Sequence, residues 1–389
     1  MRAASQEVSV APSVLKWARE TLSRTVEDVA KRLDLGSAVV EKWESGEKNP
    51  TLKQLRELAT FYKRPLAAFF LAAPPQEASL PVDFRTLPKT VTKPFSEKTR
   101  LALRRARRLQ ALAGDMNKSL ELEIKVQIGH AVLSDDPQGL AVATRAKLAI
   151  TLQDQFEWDS EATALSEWKR RIEQCGALVF ELPFPVEEGR AFSFAEEAQP
   201  AIVLNSNDAL SARIFSLFHE FGHLLLGQSG ICDLSEEGKA PEQFCNRFAG
   251  ELLVPQRGLL SHSLVQAHGK PAAWEDEDLQ QIARQFKVSR EVILRRLLNA
   301  GRTTGKFYRQ KRDEWEAQLR EHARKQRGGR RVPARQCVRQ NGIPFTSLVL
   351  ESARREKITY RDVSDYLSVG LKHLPAVESL VREGKGQYG

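Results

Sequence analysis

Cysteine is scarce. Four residues, Cys175, Cys232, Cys245 and Cys337, scattered through 389 positions cannot build a disulfide framework, so reduced thiols are expected. Long apolar runs are missing as well: none approaches the roughly 18–20 residues of a membrane helix, and MRAASQEVSVAPSVLKWARE at the N-terminus has no signal-peptide apolar region. A soluble, cytoplasmic protein with no membrane partner is the expectation. Nor does one charge sign dominate, since 59 Lys and Arg against 50 Asp and Glu leave a net +9. Placement therefore matters more than the total. Arg302 to Arg339 holds 13 basic and 4 acidic residues, and Lys93 to Arg108 holds 7 basic and one acidic. Each run reads equally as a phosphate-attracting surface or as a solvated helix face.

At 389 residues the chain exceeds one compact domain, and two to four domains are expected. In the N-terminal part, Thr25 is placed to cap a helix with apolar Val26, Val29, Ala30 and Leu33, and Asp34-Leu35-Gly36 breaks it. Ser37 is then expected to cap a second short helix through Val39, Val40 and Trp43, ended by Ser45-Gly46, and Pro50-Thr51 opens a third over Leu52, Leu55, Leu58 and Ala59. Two short helices joined by a tight turn form a helix-turn-helix pattern, whose second helix enters the DNA major groove. Further on, four prolines between Pro75 and Pro94 mark a semi-rigid connector. LELEIKVQIG reads as a short strand or as the end of the preceding basic helix, and pattern leaves both open.

The segment SAVVEKWESGEKNPTLKQLRELATFY resembles the Cro-like phage-repressor (XRE) helix-turn-helix family, over about residues 13 to 71. The resemblance puts Ser37, Ala38, Glu41 and Lys42 on the recognition helix and Lys48 at a phosphate, which makes DNA a partner. That helix has little of the Arg, Asn or Gln that usually reads bases, so dimerisation or partner docking through the same fold, with a homodimer, stands beside DNA reading.

The chemistry concentrates in RIFSLFHEFGHLLLG, Arg213 to Gly227. WKRRIEQCG before it reads as a helix closed by glycine, and ALVFELPF and AIVLN read as strands. On the helix that follows, expected to begin near Asp208, His219 and His223 lie four apart on one face with Glu220 beside the first. This H-E-x-x-H spacing suits Zn²⁺ held by two imidazoles, with the glutamate left to act as base on a water. The flanking Ile214, Phe215, Leu217, Phe218, Phe221 and Leu224 make the helix buried, where uncompensated imidazole and carboxylate are unfavourable. The alternative, two core histidines bonded to neighbours, needs no metal. A third ligand is offered by Glu242, 19 residues after His223, with Asn246 one turn further to orient a ligand.

H-E-F-G-H-L-L-L followed by E-x-x-C-N-x-F-A-x-x-L-L-V-P is similar to the ImmA/IrrE family of zinc metallo-endopeptidases, a likeness that also takes in PAIVLN and PVDFR and spans most of residues 80 to 300. The resemblance implies a gluzincin-like Zn²⁺ site with His219, His223 and Glu242 as ligands and Glu220 as general base. It implies a protein substrate, itself a helix-turn-helix repressor, and a link to stress. Cys245 departs from the family's usual alanine. With Cys232 on the loop between the two metal helices it reads either as a small buried hydrophobe or as a redox-sensitive or metal-proximal thiol. No residue is evident as an oxyanion donor; His262 and His268 read as solvent-facing side chains with that role as the alternative. LQQIARQFKVSREVILRRLLNAG repeats the helix-turn-helix spacing, with Lys287-Val288-Ser289 as turn and cap, and by the resemblance it packs on the peptidase.

The expected fold is mainly α with a smaller α+β part. Residues 1–72 form an all-α helix-turn-helix domain, 73–135 a proline-rich and basic helical connector, 136–262 a zincin-like peptidase core, and 263–389 a helical C-terminal region with the basic stretch. The expected function is a DNA-associated regulatory peptidase. The competing reading is a non-proteolytic transcription regulator or antitoxin-like DNA-binding protein whose zinc is structural or sensory.

Overall fold

The computed structural model describes residues 7–75, 95–195, 199–228, 230–232, 240–269, 272–322 and 332–386. The proline-rich connector, PVDFR and the arginine-rich positions 323–331 lie outside them. The chain divides into two compact units at Arg104/Arg105.

The first unit holds α1 (Pro12–Glu20), α2 (Val26–Leu33), α3 (Ser37–Ser45) and α4 (Leu52–Phe61), then a 3-10 turn, Leu66–Phe70. Reciprocal capping boxes, Thr25 with Asp28 and Thr51 with Gln54, start α2 and α4 by satisfying backbone N–H groups that have no partner within the helix. The turn after α2 differs from expectation in one detail. Its left-handed residue is Asp34, at φ 55°, whereas Gly36 is extended and takes the N-cap position, so Ser37 is the first helical residue and makes no side-chain cap. Aspartate tolerates this conformation because its short side chain bonds locally. Val14, Val29, Val40, Trp43, Leu55, Leu58 and Phe69 close the unit's core, and Arg19 pairs with Glu44 of α3 at 2.7 Å.

The long α5 (Glu97–Ser119) follows. Its arginines are engaged inside the protein: Arg100 donates to the Phe95 carbonyl at 2.8 Å, Arg104 to that of Lys63 at 2.6 Å, Arg105 to the Ser368 hydroxyl at 2.6 Å, and Arg107 stacks on Phe194. That stretch therefore presents less free charge than its composition suggests. Past α5 the chain is neither strand nor helix. Glu121 at φ 55° ends the helix, and the LELEIKVQIG segment has no regular structure; it and the residues after it meet single loop and helix-end carbonyls (Gln127 N–H to Cys175, Ala131 N–H to Leu225) instead of a ladder.

The second unit continues with α6 (Pro137–Lys147), α7 (Leu152–Glu157) and α8 (Glu161–Gln174), the last closed by Gly176 at φ 94°. The sheet follows: β1 (Leu178–Leu182), β2 (Ala191–Phe194), β3 (Ala201–Asn205) and β4 (Gly230–Cys232), in spatial order β1-β3-β2-β4. β1 runs parallel to β3, and β2 is antiparallel to both β3 and β4. β1 and β3 are the expected strands. β2 and β4 are too short, at 4 and 3 residues, to stand out in the hydrophobic pattern.

Between β3 and β4 the chain forms α9 (Leu210–Leu225), and α10 (Ala240–Leu253) follows β4. α9 lies against β2 and β3 on one side, α8 on another and α10 on a third; hence nearly every residue from Arg213 on is buried. α11 (Gln256–Leu260), α12 (Ser263–His268), α13 (Asp276–Phe286) and α14 (Arg290–Asn299) come next. Leu279, Ile282, Phe286, Ile293 and Leu297 belong to the same hydrophobic core as Phe218, Phe221 and Phe248, so the second helix-turn-helix pattern is spent on packing. Its turn is as expected, with Lys287 left-handed at φ 57° and Ser289 capping α14. The chain ends in α15 (Gly305–His322), α16 (Pro333–Asn341), α17 (Ile343–Arg354), α18 (Tyr360–Leu367) and α19 (Leu374–Gly386). Among the described residues no helix is long and apolar enough to cross a membrane.

Trp168 of α8 anchors this core. It is fully buried and meets Trp158 and Phe218 edge-on at centroid distances of 5.1 and 4.8 Å. Trp168→Ala should lower stability by about 3–5 kcal/mol through the cavity it leaves, seen as a lower urea midpoint in circular dichroism.

Candidate metal centre

α9 and α10 can close on one another because position 222 has no side chain. A Cβ at Gly222 would stand 3.0 Å from the Cys245 sulfur and 3.3 Å from its Cα. This second glycine-dependent contact is visible in the sequence as the Gly of HEFGH, but only the packing gives it a reason.

The approach brings His219 and His223 of α9 to Glu242 in the first turn of α10. His219 Nε2 lies 3.0 Å from Glu242 Oε2, His223 Nε2 lies 3.2 Å from Oε1, and the two Nε2 atoms are 3.1 Å apart. Donor atoms of these three residues fall within 4.8 Å of one another. Ligands 2.0–2.1 Å from a tetrahedral zinc ion stand about 3.3 Å apart, so the triangle has the dimensions of three corners of such a site. The hydrogen bonding agrees. His219 Nδ1 is 3.0 Å from Asn246 Oδ1, an acceptor, so Nδ1 donates there and Nε2 is the nitrogen left to serve as a ligand on a neutral ring. Glu242 Oε2 is buried without a hydrogen-bond donor.

Protonation shows the same demand for positive charge. Burial alone pushes the Glu242 carboxyl up, but the contacts with His219 and His223 overcome it and hold the group down to about 2. Burial would depress His223, yet Cys245, Glu242 and Glu220 together raise it well above its ordinary value.

Glu220 is fully buried. Its Oε2 accepts a hydrogen bond from the Ser193 hydroxyl of β2 at 2.6 Å, while Oε1 has no hydrogen-bond partner. Burial raises its pKa, against the opposing attraction of His223 and His219 and the Ser193 hydrogen bond. Ser193 escapes sequence reasoning because nothing in AFSF marks a polar function, apart from a serine in an otherwise apolar strand.

The Cys245 thiol lies beside His223 without joining the group, and the remaining expected residues fall elsewhere. Cys245 is buried beside Gly222 and is not in the ligand group; burial, only partly offset by His223, raises its pKa and keeps it a thiol. The backbone of Cys232 lies in β4, and its side chain lies outside the description. His262 is half-buried and accepts from Leu264 N–H at the start of α12, and His268 stacks on Trp274 at 3.8 Å; neither joins the group. In the first unit, Ala38, Glu41, Lys42 and Lys48 are exposed and Ser37 is half-buried, with Val40 and Trp43 turned into the core. The expected DNA-facing residues therefore share one solvent-facing side of α3 and the loop after it.

A group of Lewis bases at a helix-helix contact, with a buried carboxylate beside it, is an arrangement that could hold a metal ion. Residues 172–298 match the family model described as Peptidase_M78, IrrE N-terminal-like domain, and residues 15–69 match the helix-turn-helix model. The chain thus joins an ImmA/IrrE-like peptidase-family segment to an XRE-type helix-turn-helix segment. No curated protein and no solved structure matches it.

Asn246→Ala should weaken zinc binding by about 10–100-fold by freeing the His219 ring, measured by competition with a chromogenic chelator. Asn246→Asp, which keeps an acceptor at the same place, should retain most of the affinity.

Proposed function

We propose that this protein is a DNA-associated regulatory zinc metallo-endopeptidase whose substrate is a transcriptional regulator of the helix-turn-helix class. The observation that carries the peptidase reading is the pairing of a His219–His223–Glu242 group with a buried carboxylate, Glu220, one of whose oxygens has no partner. A purely structural or sensory zinc has no use for such a group.

His219 and His223 would hold the ion through Nε2 and Glu242 through its carboxylate, with Asn246 fixing the ring of His219. A zinc ion bound there supplies Lewis acidity, polarising a peptide carbonyl and bringing the pKa of a water toward about 7. Glu220 Oε1 is the atom to take that water's proton and hand it to the leaving amine. Burial raises its pKa, the direction that suits a group which must take up a proton and hand it on. The α9–α10 contact and the sheet exclude bulk water from the carboxylate and strengthen its pull on the proton.

The test compares wild type with Glu220→Gln at equal zinc content, incubated with repressors encoded nearby and with the protein itself. Cleavage should fall by about 10²–10⁴-fold in the variant, read by gel and mass spectrometry. Candidates left intact by both proteins would remove the peptidase reading in favour of the non-proteolytic one.

The DNA half of the proposal rests on the exposed face of α3 and on the helix-turn-helix match. Because base-reading side chains are few on that face, backbone contacts should dominate. Lys48→Ala is expected to weaken binding about equally for different sequences and to flatten the slope of log K against log salt by about 1, measured by fluorescence anisotropy on the protein's own promoter. A salt-independent or absent signal for wild type would sink this half.

A further inference from the structure

Ser193 occupies a place where the packing calls for an apolar side chain. In β2 it pairs with Ile202 of β3 and Gly230 of β4. Side chains alternate across a strand, so Ser193 shares its sheet face with Ala191, and Ala191 and Ile202 both belong to the core that packs against α9, with Phe218 and Phe221. Ser193 is fully buried there. A hydroxyl on an apolar face is unfavourable unless it finds a hydrogen-bond partner, and this one donates to Glu220 Oε2 at 2.6 Å.

We propose that Ser193 is a positioning residue for Glu220. The inference rests on the peptidase reading and deepens it. By donating its single proton to Oε2, the serine fixes the rotation of the carboxylate and occupies that oxygen. Oε1, the buried oxygen without a partner, is thereby held in one place. The hydroxyl is carried by an interior strand, bonded on both sides, so the constraint comes from the sheet and is independent of the α9–α10 contact that assembles the metal ligands. Metal binding and carboxylate orientation are thereby set by different parts of the fold, and they can be separated experimentally.

Acetohydroxamic acid is the probe, since its binding repeats the proton transfer without needing the natural substrate. Its O–H bond breaks, the proton passes to Glu220 Oε1, and the resulting oxygen anion ligates the zinc. Full-length, zinc-loaded wild type, Ser193→Ala, Ser193→Thr and Glu220→Gln are compared by metal analysis, by thermal melting and by isothermal titration with acetohydroxamic acid. Ser193→Ala should retain zinc and a cooperative thermal transition but bind the probe about tenfold more weakly, because the released carboxylate no longer holds Oε1 in one place. Ser193→Thr, which keeps the hydroxyl, should restore binding, and Glu220→Gln should weaken it at least as much as Ser193→Ala. Wild-type probe affinity in Ser193→Ala, beside a weakened Glu220→Gln, would overturn the proposal and leave the peptidase reading standing. Unchanged affinity in Glu220→Gln would remove the base assignment and the proposal with it. Loss of zinc from Ser193→Ala would show a framework role for the serine and would also overturn the proposal.

Discussion

The closeness of α9 and α10 at Gly222 is the constraint on which the second unit depends. With no Cβ to hold the helices apart, the Cys245 sulfur settles where that atom would have stood 3.0 Å away, and one turn back along α10 Glu242 reaches both imidazoles. Asn246 meets His219 from the same helix. The other neighbours of α9 serve this contact from outside: α8 supplies Trp168 against Phe218, and the sheet supplies a flat wall. A helix enclosed on so many sides cannot turn its polar groups to water, so their partners have to come from the protein or from a bound ion.

The treatment of buried carboxylates elsewhere in the unit shows how unusual the centre is. Glu181 is as buried as Glu220, but Lys169 at 2.7 Å and Arg213 at 2.5 Å surround it, and these cations hold its pKa down against burial. Glu251 is met by Arg296 and by the Gln256 N–H. Glu220 and Glu242 instead face imidazoles and one hydroxyl, and each keeps an oxygen without a hydrogen-bond donor. Where the fold needs a carboxylate for structure it provides a cation from the chain. Where it leaves the demand open, His219, His223 and Glu242 form a group that could hold a metal ion.

The first unit follows a different logic. Its helices are short and amphipathic, its helix starts are defined by capping boxes, and its hydrophobic side chains are spent on one small core. What remains for function is the solvent-facing side of α3 and the loop after it, lightly charged and poor in base-reading groups. The same short-helix grammar recurs in α13 and α14, where the apolar faces sink into the peptidase-like core. Similar local patterns therefore leave a helix face exposed in one place and bury it in another, according to what the remaining faces meet.

Much of this was legible in the chain. His219, Glu220 and His223 share a spacing that puts both imidazoles on one face of a buried helix, and Glu242 follows in a second apolar-faced helix. Capping residues and left-handed turns marked the helix-turn-helix, to within one residue at Ser37. These features depend on neighbours three or four positions apart, which the 3.6-residue period makes readable. What the chain could not disclose involves partners distant in sequence. The irregular run after α5 has alternation without a ladder, because pairing depends on where Cys175 and Leu225 happen to lie. The arginines of α5 look free until Ser368 and Phe194 are brought to them. Ser193 is 27 residues from Glu220, in a strand of 4 residues, and becomes meaningful only when β2 is laid against α9. Local spacing determined which residues could bind a metal and move a proton; only the tertiary structure decided which atoms face each other, because a buried polar group takes its role from the partner that packing supplies.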